Sequence, residues 1–325
     1  MKVYNDIRNL PQFNNAVITI GTFDGVHTGH RQILSQLLSE AQKVGGDAIV
    51  ITFYPHPKHI IETAGKPVFL LSTPSEKYTL LQRAVIKHVV EVPFTREFSE
   101  QPAGQFIEYF LVNHFKPHTI IIGYDHRFGK DREGGYDMLK TLEPRYGYKV
   151  IEIPEQVLQR SAISSTRIRE ALQEGDIEKA NQNLGYPYFF SGTVIRGNQL
   201  GRTIGFPTAN LSINHERKLI PSPGVYAVWV EVPGHGVYKG MMNTGMRPTV
   251  EGKSLVTEVH LLDFDNLIYG ASVQIFLIGR IRNEEKFAGL EELKNQLKLD
   301  RNRTQEILSA SHHDLRNHFL EQGGA

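Results

Sequence analysis

The sequence contains no cysteine, no long apolar run and no marked excess of charge of either sign. Without thiols the chain cannot form disulfides, zinc–thiolate centres, iron–sulfur clusters or a cysteine nucleophile. The residues after Met1 lack the apolar segment of a signal peptide, and no stretch approaches the roughly 20 apolar residues that span a bilayer. We therefore expect a cytoplasmic protein that does not enter a membrane.

Charge and length narrow the class of protein further. The formal net charge is +1, from 36 Lys and Arg against 35 Asp and Glu, so we expect no large basic surface for nucleic acid. Hydrophobic residues make up 40% of the 325 residues, as in folded globular proteins. A chain of this length is expected to form two domains, because one core rarely grows so large. No feature indicates an obligate protein partner.

The first half of the sequence alternates strand-like and helical patterns. Five β-branched runs have the length of buried strands: residues 16–20, 48–53, 89–92, 119–122 and 149–153. Three segments carry apolar residues at helical spacing: residues 31–44, 74–87 and 103–115. This alternation predicts an α/β fold with a doubly wound parallel sheet. Ligands bind beyond the carboxyl ends of such strands, so the loops after four of the strands should face one crevice. These loops follow Ile20, Phe53, Ile122 and Ile153.

The second half has a different pattern, with short strand-like runs separated by glycine and proline. These runs are residues 189–195, 225–232, 237–242, 255–262 and 272–279. Short strands with frequent turn signals predict a small antiparallel barrel or sandwich, and a helical pattern returns after Lys286. The change follows a helical segment at residues 177–184, so we predict domains at residues 1–185 and 186–325.

The most informative segment lies between the first predicted strand and helix, where residues 21–30 read GTFDGVHTGH. Free N–H groups and the positive end of the helix dipole make such a junction an anion site. Gly21, Gly25 and Gly29 let the backbone approach a ligand closely. His27 and His30 share a face of the first helical turn and suit stabilisation of charge on a polyphosphate. The segment is neither a Walker loop nor a dinucleotide fingerprint.

Two later segments of the first half also favour phosphate binding. Ser164, Ser165 and Thr166 supply hydroxyl and N–H groups at a helix start, and Arg167 adds a cation. A simple helix N-cap would need only one of these hydroxyls. Arg127 lies in a basic loop flanked by glycine, which either covers phosphates or is a solvated surface loop.

The second half has its own polar segment, GRTIGFPTAN, which begins at Gly201. The backbone around Gly201 and Gly205 could wrap a phosphate. Thr208 and Asn210 alternate along a candidate strand, so both point to one side, and their oxygens are ligands that Mg²⁺ accepts. Glu258 alternates with apolar residues and so leaves the core face of its strand. Residue types alone leave open a plain barrel turn and an exposed strand glutamate.

Together these motifs resemble a known family. The GTFDGVHTGH segment is similar to nucleotidyltransferases with the HxGH signature, and its Phe-Asp-Gly resembles the FMN adenylyltransferase branch of prokaryotic bifunctional riboflavin kinase/FAD synthetases. Three further segments resemble the family's next motifs: TFYPHP at 52–57, GYDHRFGK at 123–130 and SSTRIR at 164–169. His126 stands where the family more often has Phe, which puts the role of that one side chain in question.

The second half resembles the riboflavin kinase domain, whose hallmark is Pro-Thr-Ala-Asn, here at residues 207–210. Residues 223–227, 240–245, 247–249 and 258–264 are also similar, and the resemblance covers about residues 16–285. It implies a six-stranded antiparallel barrel with C-terminal helices, which phosphorylates riboflavin to FMN. The first domain would then join FMN and ATP into FAD and pyrophosphate. The resemblance implies ATP as co-substrate and Mg²⁺ as the metal.

The resemblance also implies roles for single residues. Glu258 would be the kinase base, and His27 and His30 would stabilise the triphosphate during adenylyl transfer. The residues implied to bind ATP or phosphate are Gly21, Phe23, Asp24, Gly25, Gly29, Ser164, Ser165, Thr166, Arg167, Gly201, Gly205, Thr208 and Asn210. Thr208 and Asn210 would also hold the metal. The residues implied to bind flavin are Pro55, His56, Pro57, Asp125, Arg127, Phe128, Asn243 and Arg247.

Three other functions fit part of the sequence. An adenylyltransferase for another phosphate-bearing substrate, such as a pantetheine phosphate, would share the first motif, but such enzymes usually have one short domain. A flavin-binding regulator would have inactive sites, whereas His27, His30, Asn210 and Glu258 are all present. Reaction with RNA would call for interleaved basic and aromatic residues, which this nearly neutral chain lacks.

Overall fold

The computed structural model describes residues 1–61, 67–155, 164–197, 200–249 and 252–315, without the side chains of residues 200, 247–249, 252–254 and 312–315. Residue contacts divide the chain into two compact units, Met1–Ser165 and Thr166–Ala325. The first unit contains a parallel sheet and the second contains a closed barrel. The change of hydrophobic pattern along the sequence therefore corresponds to a change of architecture.

The first unit is built on a six-stranded parallel sheet. Its strands are β1 Lys2–Tyr4, β2 Val17–Ile20, β3 Ala48–Tyr54, β4 His88–Pro93, β5 Thr119–Gly123 and β6 Lys149–Ile153. They lie in the order β1-β4-β3-β2-β5-β6, and every neighbouring pair is parallel. The strand order reverses at β2, which confirms the doubly wound sheet and makes the end of β2 the expected ligand position.

Helices occupy most of the connections between these strands. They are Thr28–Lys43, Pro57–Ile60, Pro74–Arg83, Arg96–Ser99, the consecutive segments Ala103–Gln105, Phe106–Val112 and Asn113–Phe115, and Tyr136–Tyr146, with short 3-10 turns at Ile7–Asn9 and Lys130–Arg132. The helix predicted over residues 74–87 ends at Arg83, because Val85 adopts a left-handed backbone conformation with φ of 61°. The helix predicted to begin at Arg31 begins at Thr28.

The central strands are buried on both faces, as their continuous apolar runs predict. Every residue of β2 and β5 is buried, and the core around them includes Ile49, Ile51 and Phe106. Burial of β-branched runs from both sides requires helices on both faces of the sheet. Because these strands pair in parallel, the loops after β2, β3, β5 and β6 all leave the same carboxyl edge of the sheet.

The second unit is a closed six-stranded barrel. Its strands are β7 Phe189–Ile195, β8 Ala209–Ile213, β9 Gly224–Val232, β10 Gly236–Thr249, β11 Gly252–Leu261 and β12 Ser272–Arg282. They close in the order β10-β11-β8-β7-β12-β9, and every neighbouring pair is antiparallel. The barrel confirms the implied fold, and β10 extends seven residues beyond the predicted end at Met242, to Thr249.

Helices flank the barrel in the sequence. The segment Ser165–Glu174 begins at the boundary between the units, and Ile177–Leu184, Leu200–Thr203 and Leu290–Leu315 follow. Asn181 joins its helix to the barrel, since its Nδ2 donates to the Leu277 carbonyl at 2.9 Å and its Oδ1 accepts the Tyr188 N–H at 2.7 Å. By contacts, the helical segment after Ser165 therefore groups with the barrel.

Candidate active sites

Residues 21–30, which we call the histidine loop, join β2 to the helix Thr28–Lys43. His27 caps this helix, because its Nδ1 accepts the backbone N–H of His30 at 3.3 Å. The two imidazole rings stack with centroids 3.7 Å apart. With Nδ1 as acceptor, a neutral His27 carries its proton on Nε2 as a donor. Gly29 permits the close packing, since a Cβ there would lie 3.3 Å from the His27 ring.

The histidine loop has a strained backbone. Phe23 and Val26 have φ of 47° and 36°, in the left-handed region that side chains rarely adopt. This conformation is costly for a β-branched residue such as Val26 and persists only where packing enforces it. Both side chains are 1% exposed, so burial holds the loop in its shape. Strain of this kind clusters at binding and catalytic sites.

Asp24 fixes the loop to its surroundings. Its buried carboxylate accepts the backbone N–H groups of Leu71 at 3.1 Å and Ser72 at 2.9 Å. The Ser72 hydroxyl in turn accepts the Gly25 N–H at 2.9 Å. Ser165, from the fourth predicted motif, donates its hydroxyl to the Asp24 carbonyl at 3.2 Å. The first and fourth motifs therefore meet, and the Asp24 carboxylate orders the backbone of the loop.

Two histidines of this unit are held in their neutral form. Burial, together with the neighbouring His27, holds the pKa of His30 well below its usual value. Among the described residues, the buried Nδ1 of His30 has no hydrogen-bond partner, which is unusual in a folded protein. Burial likewise lowers the pKa of His126 to about 4, against the opposing charge of Asp125. Both rings are therefore uncharged near pH 7.

Lys77 was not predicted from the sequence as a site residue, but its ammonium group lies beside the histidine loop. Its side chain is 5% exposed, and Nζ donates to the Thr52 hydroxyl at 2.9 Å. The Thr52 hydroxyl in turn donates a hydrogen bond to the Thr22 carbonyl at 3.1 Å, so Lys77 supports the start of the histidine loop. Burial lowers the pKa of Lys77, and the carboxylates of Glu91 and Asp24 oppose that shift.

A cavity of about 20 Å³ connects the loop after β2 with the loop after β3. It is lined by Thr22, Asp24, Phe53, Tyr54, His56, Leu70, Ser72, Pro74 and Lys77. Pro55, His56 and Pro57 of the predicted flavin set lie on the second of these loops, where His56 Nδ1 accepts the Lys58 N–H at 3.2 Å. The first and second motifs thus share a wall at the carboxyl edge.

The third motif follows β5, the strand next to β2. Asp125 and Arg127 are exposed, and Arg127 Nη1 donates to the His126 carbonyl at 3.0 Å. Phe128 is different, because its ring belongs to the hydrophobic core and stacks on Phe106 with centroids 5.0 Å apart. In this structure Phe128 therefore anchors the loop, while Asp125 and Arg127 remain available at its surface.

The barrel unit contains a larger cavity of about 340 Å³, on the outer side of its strands. Five predicted site residues line it: Gly201, Thr208, Asn210, Asn243 and Glu258. Leu293 and Leu297, from the helix Leu290–Leu315, form part of its wall. A volume of several hundred cubic ångströms suits a small-molecule ligand. The barrel and its C-terminal helix together make this pocket.

Strand register brings three of these residues side by side. In β11, Glu258 pairs with Asn243 of β10 on one side and with Asn210 of β8 on the other. Directly opposed residues in a sheet point to the same face, so one carboxylate lies between two amides. Val259 is fully buried, which confirms that Glu258 points away from the core face.

Thr208 completes this polar row. Its hydroxyl donates to the Glu258 carboxylate at 3.4 Å. Asn210 is 7% exposed and packs against Gly197, where a Cβ would lie 2.1 Å from the Asn210 amide nitrogen. Any side chain at position 197 would displace Asn210, so glycine is required there. The oxygens of Thr208, Asn210 and Glu258 line one cavity, as a Mg²⁺ site needs.

The remaining predicted residues are placed more loosely. Ser164, Thr166 and Arg167 are exposed around the start of the helix Ser165–Glu174. Gly205 takes a left-handed conformation, with φ of 85°, in the turn before Phe206. The side chain of Arg247 lies outside the described residues.

A buried ion pair, absent from the sequence predictions, joins the barrel to its C-terminal helix. Arg282 on β12 donates from Nε and Nη2 to the Asp300 carboxylate, with the shortest distance at 2.8 Å. Asp300 is 1% exposed and also accepts the Gln296 amide at 2.9 Å. Both members of the pair line the large cavity. The pair therefore holds the helix that closes the pocket.

We expect Asp300→Ala to destabilise the barrel unit by about 3–5 kcal/mol, because it leaves the Arg282 charge buried without its partner. Urea unfolding followed by the fluorescence of Trp229, the one tryptophan and a barrel residue, measures this. The matched control is Glu306→Ala, which removes the exposed pair with Arg303 on the same helix and should cost less than about 1 kcal/mol. Equal costs for the two variants would contradict this account.

The fold and the two sites define the class of protein. The first unit has the architecture of a nucleotide-binding α/β domain, with a strained histidine loop at the switch point of its sheet. The second has a carboxylate flanked by hydroxyl and amide groups in a pocket of ligand size. These features are those of a transferase with a candidate site in each unit.

Comparison with known families agrees with this class and names it. Residues 10–167 match the family model for FAD synthetase, and residues 184–308 match that for riboflavin kinase. A bifunctional riboflavin kinase/FMN adenylyltransferase from Haemophilus influenzae is 40% identical over 90% of this chain and 96% of its own length. Its counterpart from Bacillus subtilis is 37% identical over 88% and 90%. The chain belongs to the family of bifunctional riboflavin kinase/FMN adenylyltransferases.

A solved structure has the same fold over nearly its whole length. It is named as a macrolide-efflux protein from Streptococcus pneumoniae, is 30% identical, and aligns with a TM-score of 0.84 over 94% of this chain and 98% of that one. In the described part of the present chain, no helix combines the length and apolar character needed to cross a membrane.

Proposed function

We propose that the two reactions of this family take place at two separate sites, one in each unit. The chain phosphorylates riboflavin to FMN, and it then transfers an adenylyl group from ATP to FMN, giving FAD and pyrophosphate. The observation that carries the site assignment is the row of Asn243, Glu258 and Asn210 across three barrel strands. It supports phosphoryl transfer in the large cavity and leaves adenylyl transfer to the histidine loop.

In the kinase site, Glu258 is the general base. Its carboxylate lines the cavity and would accept the proton of the ribityl hydroxyl as that oxygen attacks the terminal phosphate of ATP. Asn243 borders the same cavity and binds the flavin or its ribityl chain, together with Arg247. The glycine turn at Gly201 and Gly205 covers the ATP phosphates. Most of the catalysis comes from positioning and charge neutralisation.

Thr208 and Asn210 are the proposed holders of Mg²⁺. Their neutral oxygens are hard ligands, and they lie on one cavity wall with the Glu258 carboxylate. Among the described residues, no group of three His, Cys, Asp or Glu side chains could hold a metal ion. A site with few protein ligands is suitable for Mg²⁺, because this ion keeps several waters and binds largely through substrate phosphates. When bound, it would neutralise charge on the transferring phosphate.

Removal of Mg²⁺ by a chelator should abolish FMN formation, and adding Mg²⁺ back should restore it. Asn210→Ala should raise the Mg²⁺ concentration that gives the half-maximal kinase rate about tenfold or more, because a direct ligand of the metal is lost. Initial rates of FMN formation across a Mg²⁺ titration measure this. Asn266→Ala, an exposed amide on a barrel loop, is the matched control. An unchanged Mg²⁺ requirement in Asn210→Ala would remove Asn210 from the metal site.

In the adenylyltransferase site, the FMN phosphate is the nucleophile and needs no strong base. His27 offers Nε2–H, and the unpaired Nδ1 of His30 gains a partner when an anion binds. These two rings stabilise the charge that builds on the leaving pyrophosphate. The other proposed ATP and phosphate contacts are Gly21, Phe23, Asp24, Gly25, Gly29, Ser164, Ser165, Thr166 and Arg167. The proposed FMN contacts are Pro55, His56, Pro57, Asp125 and Arg127. Phe128, which sequence analysis also assigned to flavin, supports them by anchoring their loop in the core.

The division of labour along the chain is part of this proposal. We assign residues 1–185 to adenylyl transfer and residues 186–325 to riboflavin phosphorylation, although residues 166–184 group with the barrel by contacts. The reason is that Thr166 and Arg167 complete the fourth phosphate motif. We place the enzyme in the cytoplasm, with riboflavin, FMN and ATP as its small-molecule substrates.

One assay tests the proposed function. Incubation with riboflavin, ATP and Mg²⁺, followed by chromatographic separation of the flavins, should show FMN first and FAD later. Formation of neither product would contradict the proposal.

A further inference from the structure

One titratable side chain on the wall of the large cavity has no role in the chemistry above. His260 lies two residues after Glu258 on β11, so both side chains leave the strand on the same side. Its ring is 9% exposed and lines the cavity together with Thr208 and Glu258. Phe206 packs edge-on against it, with centroids 5.3 Å apart.

The ring is fixed by a short hydrogen bond. Nδ1 of His260 lies 2.7 Å from the carbonyl oxygen of Pro207. A carbonyl only accepts, so the histidine donates through Nδ1–H. Burial lowers the pKa of His260, although this hydrogen bond opposes the shift. In the neutral ring, Nδ1 carries the proton and Nε2 is left as the acceptor.

This bond begins where the backbone pairing of two strands stops. β8 and β11 pair at Leu211, Asn210 and Ala209, and the register ends there. Thr208 lies one residue outside the paired region, between Ala209 and the Pro207 carbonyl that His260 holds. The side chain of His260 thus extends the contact between β11 and the chain to Pro207, just before the first residue of β8. The hydrogen bond from the Thr208 hydroxyl to the Glu258 carboxylate depends on this contact.

We propose that His260 is a positioning residue of the kinase site. By holding the Pro207 carbonyl, it places the Thr208 hydroxyl against the Glu258 carboxylate, beyond the residues that strand pairing already aligns. It acts through the backbone of the Pro-Thr-Ala-Asn segment and not on the reacting atoms. This inference rests on the proposed assignment of riboflavin phosphorylation to the large cavity.

Two conservative variants separate the two ring nitrogens. Asparagine places an amide N–H near the position of Nδ1, whereas glutamine places its amide near Nε2. We expect His260→Asn to keep kcat for FMN formation within about threefold of the wild type, because the donor to Pro207 is retained. His260→Gln and His260→Ala should lower kcat about tenfold or more, because they remove the donor that holds the Pro207 carbonyl and so misplace Thr208. KM for riboflavin should change little.

The full-length enzyme supplies its own controls. FAD formation from added FMN by each variant should equal that of the wild type, since the adenylyltransferase site lies in the other unit. His235→Asn, a substitution of an exposed barrel histidine, should leave both activities unchanged. Rescue by glutamine and not by asparagine would show that the ring acts through Nε2 and would overturn the proposal. So would an unaffected His260→Ala, or loss of both activities in His260→Asn.

Glu258→Gln, assayed beside these variants, tells the two failures apart. If Glu258→Gln loses FMN formation while His260→Ala retains it, only the role of His260 is wrong. If Glu258→Gln retains full kinase activity, the assignment of the cavity fails and the role of His260 fails with it.

Discussion

Glu258→Gln should lower the rate of FMN formation by about a hundred- to ten-thousandfold, the usual contribution of a general base. Glutamine keeps the shape of the side chain and can still accept the hydrogen of the Thr208 hydroxyl. The substitution therefore removes the proton acceptor and leaves the row between Asn243 and Asn210 in place. Initial rates of FMN formation, with riboflavin and MgATP at saturation, measure the loss.

The matched control for this variant is Glu231→Gln, an exposed glutamate on β9 of the same barrel. It should phosphorylate riboflavin at the wild-type rate. The Glu258 variant should also convert added FMN to FAD normally, because that reaction takes place in the other unit. A kinase rate within a few-fold of the wild type would exclude Glu258 as the base.

The second large effect is expected at the histidine loop, where His30→Ala should lower the rate of FAD formation from FMN by about a hundred- to a thousandfold. The loss follows because His30 packs between His27 and Phe23, and its unpaired ring nitrogen faces no protein partner among the described residues. Removing it takes away a group that stabilises the leaving pyrophosphate. Pyrophosphate release with FMN and MgATP at saturation measures the rate.

The control for this variant is His118→Ala. His118 is exposed and immediately precedes β5, so it lies at the amino edge of the sheet, opposite the loops that carry the site. Its substitution should leave FAD formation unchanged. FMN formation should be unaffected in both variants. If His118→Ala and His30→Ala reduce FAD formation equally, the effect reports on the stability of the sheet and the histidine loop has no special role.

The architecture could be predicted from the sequence because each unit repeats one simple pattern. The alternation of β-branched runs with helical stripes predicted the parallel sheet, and turn signals between short strands predicted a barrel or sandwich. The exceptions are local. The helix Tyr136–Tyr146 contains Pro144 and follows two glycines, which read as breakers, and β1 has only three residues. β10 continues through Gly245 and Pro248, because pairing with β11 outweighs their poor strand propensity.

The site could be predicted only where a motif carries it. Thr208, Asn210 and Glu258 were predicted to act together, but their alignment depends on strand register, which joins residues 48 positions apart. Lys77, His260 and Asp300 were missed for a different reason. Each looks like an ordinary surface residue in the sequence, and only tertiary packing buries it against a partner of the site. Burial of a polar side chain has no local signature.

The separation of the two activities is the central claim, and one product analysis tests it most directly. Wild type, His30→Ala and Glu258→Gln are each incubated with riboflavin, ATP and Mg²⁺, and the flavins are separated over time. The wild type should accumulate FAD, the His30 variant should stop at FMN, and the Glu258 variant should leave riboflavin unchanged yet convert added FMN to FAD. Loss of FMN formation in His30→Ala, or failure of Glu258→Gln to convert added FMN to FAD, with the fold intact, would contradict two independent sites.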